Sequence, residues 1–273
     1  KKEKLPTLDG LVRGCCKAMV ALQVDAGHFK FPDVRGKHAR YGDLIDRLVD
    51  RDVSAIDGGW VVMPLPDGAS QVDACECGLA LLRAGAAYRN DDWTKAGFKA
   101  ADWALGAACV PEFYANAFAV SLLCEAFRVT ADKKYLDGAR KKCQICVLPG
   151  QASNGRWLDP VSARTVSHVV ILRALNDLEE CLPPGKDREA METAAAKAVK
   201  TLIEEAERLG APPTANTVQE LERYLRLHKD APQEVRIVLE RAATAAMKKC
   251  ARGGRVQATV PLPELAAVSR VFP

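Results

Sequence analysis

The stretch QVDACECG, residues 71–78, sets Asp73 and Glu76 beside Cys75 and Cys77. Two thiols and two carboxyl groups this close suit three chemistries: a metal site, a redox pair or acid–base catalysis. An apolar run follows at once, so the stretch is predicted to open a helix. On a helix, residues two apart point about 200° away from each other, and Cys75 and Cys77 cannot grip one ion. Asp73 instead shares a face with Glu76 and Cys77, three and four residues on. The same spacing puts Arg164 on the face of His168. Asp73 and Glu76 are then either acids of a cleft or acids that complement the dipole of a first helical turn, and the cleft is the reading adopted.

The elements that position these groups must come from 273 residues, 48% hydrophobic and 27% charged, which is enough to bury a large core. The 39 basic residues are spread among 35 acidic ones for a net charge of +4, without a basic stripe or interleaved aromatics, so nucleic acid is not expected as a partner. No apolar run reaches the roughly 18 to 20 residues of a membrane span. The start KKEKLPTL carries no signal segment, and beginning at Lys1 is compatible with an exported protein in mature form. Of ten cysteines, Cys15, Cys16, Cys109, Cys124, Cys181 and Cys250 lie among apolar residues and are read as packing. Cys143 and Cys146 form a CxxC, but without the second pair of a zinc ribbon. Neither a metal nor a redox cofactor is expected.

Helical periodicity dominates. A first helix is predicted over 8–24, then an irregular segment over 25–70 with a short helix near 41–50. Paired helices follow at 71–89 with 92–108, 112–129 with 132–147, 160–181 with 186–208, and 215–228 with 232–250. Two pairs resemble each other: LALLRAGAAYRNDDWTKAGFKAADWAL at 79–105 and VSLLCEAFRVTADKKYLDGARKKCQI at 120–145. Each runs from an apolar helix through an aromatic, an Arg and a polar turn to Trp93 or Tyr135. A repeat of this kind predicts an all-α fold of stacked helical hairpins, since one hairpin cannot bury its own apolar face. Trp93 and Tyr135, at equivalent positions, are read as packing. The tail RVQATVPLPELAAVSRVFP suits a short extended piece and a helical turn.

SLLCEAFRVTADKKYLDGA, with its inner helix, aromatic, turn and returning outer helix, resembles alpha/alpha toroids. GRWLDPVSARTVSHVVILRALNDLEECLPP also looks like a toroid segment, a Trp-bearing loop leading into a helix with a His. The resemblance is to the six-hairpin glycosidases and the alpha/alpha-barrel polysaccharide lyases and sugar epimerases, and covers about residues 8–250. It implies one toroid-like domain over 1–273, with about four and a half hairpins forming an incomplete ring that the 25–70 loop helps to close.

If the hairpin turns mark one end of that ring, the other end gathers the helix starts with loops 25–70 and 148–159. Glycoside hydrolysis there would need two carboxyl groups, which Asp73 or Glu76 with Asp25, Asp57 or Asp159 could supply. A lyase or epimerase would need a base and a stabiliser of enolate-like charge. His168 or His28 with Tyr114, Asn116 and Arg164 fits that demand. Trp60 and Trp157 could stack on pyranose faces, with His28, Gln71, Asn116 and Arg164 as further sugar contacts. His38, Arg40 and Tyr41 fall at the same end. Each has a structural counterpart: His168, beside Val169 and Val170, as a core residue, Asp159 before Pro160 as a helix cap, and Asn116 as a donor to a nearby carbonyl. The expected function is a carbohydrate-active hydrolase or lyase acting on a poly- or oligosaccharide. The alternative is a non-catalytic scaffold binding a sugar or a protein.

Overall fold

A computed structural model of the chain describes residues 7–29, 31–32, 56–57, 60–61, 68–159, 164–209 and 213–252. The expected helix at 41–50, His38, Arg40, Tyr41 and the tail at 255–273 lie outside these residues, as do the side chains of Asp57 and Trp60. Among the described residues nine α-helices carry the fold: α1 (Leu8–Leu22), α2 (Gly68–Tyr88), α3 (Asp91–Gly106), α4 (Phe113–Thr130), α5 (Lys133–Lys142), α6 (Thr165–Cys181), α7 (Lys186–Leu209), α8 (Ala215–Leu227) and α9 (Gln233–Arg252). Three two-residue strands, β1 (Phe31–Pro32), β2 (Ile56–Asp57) and β3 (Trp60–Val61), pair antiparallel in the order β1-β3-β2, with Pro32 and Asp57 both opposite Trp60. No helix among the described residues is long and apolar enough to cross a membrane.

The helices fall into two compact units, Lys1–Pro111 with Phe118–Lys142, and Glu112–Ala117 with Cys143–Pro273. In the first unit, α1 packs on α2 and α3, and α3 on α5. In the second, α6 packs on α7 and α8, and α9 on both α7 and α8.

The repeated hairpins of the first unit turn by one device. Arg89 and Ala131 take left-handed conformations, with φ of 51° and 57°, and so end α2 and α4. The next residue restarts the chain: the Asn90 side chain accepts from the Trp93 N–H at 3.0 Å, and that of Asp132 from the Lys134 N–H at 3.0 Å. Trp93 and Tyr135, 7% and 3% exposed, pack behind these turns as the repeat predicts.

A second device occurs once in each unit. Gln23 Nε2 donates to the Gly27 carbonyl at 2.9 Å and, on α3, to the Ala96 carbonyl at 2.8 Å. Gln151 Nε2 donates to the Gly155 carbonyl at 3.0 Å and, on α7, to the Ala194 carbonyl at 2.9 Å. Gln23 bridges antiparallel to Phe29, and Gln151 to Trp157. Both glycines have positive φ, 105° at Gly27 and 88° at Gly155, and press on the carbonyls of Lys99 and Lys197. A Cβ at either would strike that carbonyl as well as strain the backbone. The shared pattern is Gln-x-x-x-Gly-x-aromatic, a clamp that ties a turn to α3 in the first unit and to α7 in the second.

The cysteines depart from the packing reading at Cys15, which is exposed, and at Cys109. Cys16, Cys75, Cys124 and Cys143 are buried thiols outside any disulfide, but Cys109 and Cys146 are disulfide-bonded. The α3 helix ends at Gly106, so Cys109 lies in an exposed stretch beyond it and not on an apolar helix face. Burial pushes the Cys143 thiol up to about 12, so the two members of the CxxC are in different chemical states.

Gly27→Ala and Gly155→Ala should each lower the unfolding free energy by more than about 2 kcal/mol. Gly14→Ala, in an exposed α1 position with open space around it, should raise it by about 0.5–1 kcal/mol. Denaturant midpoints of the three variants check both signs.

Candidate functional site

The α2 helix begins at Gly68, three residues before the expected start, so Asp73 and Glu76 sit in its second and third turns. No acidic residue occupies the first turn, and the dipole reading of the pair therefore fails. Both acids are half-buried. The Cys77 thiol is pushed up to about 11, first by burial and then by the charges of Asp73 and Glu76, which places the three groups on one face. Cys75 is 1% exposed and belongs to the core.

The other candidates of this unit lie at the first clamp or in the core. Asp25 projects into solvent from the clamp turn, 3.4 Å from Lys99 Nζ. His28 is buried beneath the same turn, its ring 5.8 Å from that of Trp103. Gln71 is wholly buried. Trp60 contributes its backbone to β3.

In the second unit the candidates gather along residues 143–159. Cys143–Val147 form a π-helical turn, whose wider winding leaves carbonyls for side chains to reach. Asn116 Nδ2 donates to Cys146 O at 3.4 Å and to Glu112 O at 2.9 Å, and Trp157 Nε1 donates to Val147 O at 2.8 Å. Trp157, 2% exposed, is thus a core anchor with no free face for a sugar. Its ring tilts against His168 at 5.3 Å. His168 is 3% exposed, and its Nε2 lies 3.2 Å from Ala198 O. A carbonyl only accepts, so Nε2 holds the proton and Nδ1 the lone pair. Burial lowers the His168 pKa to about 4, against the bond to Ala198, and Arg156 lowers it further. An imidazole this acidic and this enclosed is poorly matched to abstracting a carbon-bound proton.

Asp159 is buried but does not cap α6, which starts six residues later at Thr165 behind Arg164. Its Oδ2 accepts from the Tyr114 N–H at 3.2 Å, at the first turn of α4, where backbone donors lack helical partners. Arg156, which follows the clamp glycine, pairs with Glu205, and Glu205 also accepts from Thr165 Oγ1 at 2.9 Å. Half-buried Tyr114 and exposed Arg164 are the members of this set that reach solvent.

No family model, curated protein or solved structure matches the chain. Its site is therefore read from its own residues. Among the described residues no group of three or more His, Cys, Asp or Glu converges as a metal site.

Two features escape the sequence reading. The clamp glutamines were signalled by the recurrence of Gln-x-x-x-Gly-x-aromatic at 23–29 and 151–157. A buried ionic cluster around Asp177, Glu179, Glu220 and Arg223 was signalled by acids falling at the apolar spacings of α6 and α8.

The His168 environment fixes the sign of an acid response. Its folded pKa, about 4, lies below the unfolded value near 6.5, so between these limits the unfolded chain binds more protons. Unfolding free energy should fall as pH drops from 6.5 to 4, by up to about 3 kcal/mol from this group. Equilibrium unfolding across that range should show the slope reduced in His168→Gln.

Proposed function

We propose that the chain is a carbohydrate-active enzyme, its hairpins arranged as a partial α/α toroid, with Asp73 and Glu76 as the acids of its cleft. The observation that carries this reading is their placement: half-buried, on one face, in turns of α2 beyond the first. Side chains three residues apart on a helix have Cβ atoms about 5–6 Å apart, the scale on which paired carboxyl groups work in retaining glycosidases. One would protonate the leaving oxygen while the other attacks or steadies the anomeric carbon. The enclosed, neutral His168 favours the hydrolase branch over the lyase branch, which needs an accessible base. The substrate is a poly- or oligosaccharide.

A scaffold that binds a sugar or protein without turnover is the second reading. It draws on the observation that Asn116, Trp157 and His168 each hold the second unit together.

Turnover on a panel of neutral and uronic-acid polysaccharides, read by reducing ends and by the ultraviolet absorbance of unsaturated products, separates the two. Asp73→Asn and Glu76→Gln should each cut the release of reducing ends by about a hundredfold or more while leaving Tm nearly unchanged. Saturable binding without release of either kind selects the scaffold. Unchanged turnover in both variants removes these acids from the site.

A further inference from the structure

The α6–α8 interface holds the densest set of buried charge among the described residues. Asn176, Asp177 and Glu179 of α6 are 0% exposed, and Glu220 of α8 is 3% exposed. Arg223 of α8 is the hub. Its Nε and Nη2 bind the two oxygens of Glu180 at 2.8 and 2.6 Å, and Nη2 also binds Asp177 Oδ1 at 2.8 Å. Only Nη1 is turned toward Glu220, at 3.8 Å, beyond hydrogen-bond range. Glu220 Oε2 accepts instead from neutral Asn176 Nδ2 at 3.0 Å.

Three carboxyl groups, Asp177, Glu180 and Glu220, thus share the guanidinium of Arg223, with Arg173 near enough to act on Glu220. Glu220 has the poorest share of positive charge and is almost dry. We infer that the α6–α8 interface is a proton-sensitive latch, closed most tightly when Glu220 carries a proton and loosened when Glu220 ionises. The physical reason is desolvation: a buried carboxylate that only shares a counter-charge, 3.8 Å away, costs more than the same group protonated.

The groups on neighbouring elements are accounted for separately. Glu179 is held by His228 Nε2 at 3.1 Å and by Arg188 of α7 at 3.6 Å, and Arg188 also binds Glu192 at 3.0 Å. The ring of His228, which ends α8, lies tilted against that of Tyr224, with centroids 4.2 Å apart. The α9 helix, packed against α8, buries Val235, Val238, Leu239 and Ala242, and no charged group is among its described buried residues. Burial, opposed by Arg223 and reinforced by Asp177, raises the Glu220 carboxyl. The folded state therefore holds this proton more tightly than the unfolded state. The associated stability is present at low pH and is lost as pH rises through the folded value, opposite in sign to the His168 response.

Hydrogen exchange of Ala215–Leu227 in the full chain, corrected for intrinsic rates, tests the latch from pH 5 to 8. Wild-type protection should fall severalfold as pH rises, whereas the isosteric Glu220→Gln, which keeps the Asn176 contact, should stay flat and exceed wild type at pH 8. Parallel behaviour of the two proteins overturns the latch. Should the variant fail to fold, the carbon-13 shift of the wild-type Glu220 carboxyl decides. A midpoint above that of an exposed glutamate upholds the latch, and one at or below it overturns it.

Discussion

Gln151 gives one amide group to two carbonyls, that of Gly155 inside its own turn and that of Ala194 on α7, and Gln23 does the same toward Gly27 and Ala96 on α3. One bond shapes the turn and the other ties it to the helix, so the same amide fixes both the form of the turn and its position. Much follows from that constraint. It brings a glycine against the backbone of α3 or α7, and it delivers Phe29 or Trp157 to a buried position. In the second unit it sets Trp157 under Val147 O and against His168. It also sends Arg156 toward Glu205, which anchors Thr165 at the start of α6.

Polar groups are committed to structure in this chain more than their types suggest. Asn116, Trp157, Asp159 and His168 all satisfy backbone groups inside the second unit. The α6–α8 cluster is a further commitment, since buried ions are costly unless each finds a partner. Asp73 and Glu76 carry the functional proposal because they are half-buried on one face of α2, beyond its first turn.

The helices were legible because amphipathic spacing and turn residues coincide. The α3 and α7–α9 helices lie close to their expected spans, α6 starts five residues later than the expected 160, and the paired turns with Trp93 and Tyr135 repeat as read. The start of α2 was misplaced because Gly68, Ala69 and Ser70 give no periodic signal, and that shift takes Asp73 and Glu76 out of the first turn and removes the dipole alternative. Burial of His168 was not legible, for a histidine beside valines reads alike on a core face and on a rim. Asp159 before Pro160 imitates a local cap, and only tertiary structure reveals that it caps α4. The buried acids of α6 and α8 were only half legible, because sequence shows their spacing and not the arginine opposite.

The clamp admits a direct measurement. Side-chain amide exchange of Gln23 and Gln151, followed by NMR in the intact chain, reports whether both Nε2 protons are held. Protection well above that of a solvated glutamine at both positions, lost locally in Gly27→Ala and Gly155→Ala respectively, is the predicted result. Exchange at the free rate in the folded wild-type protein would contradict it.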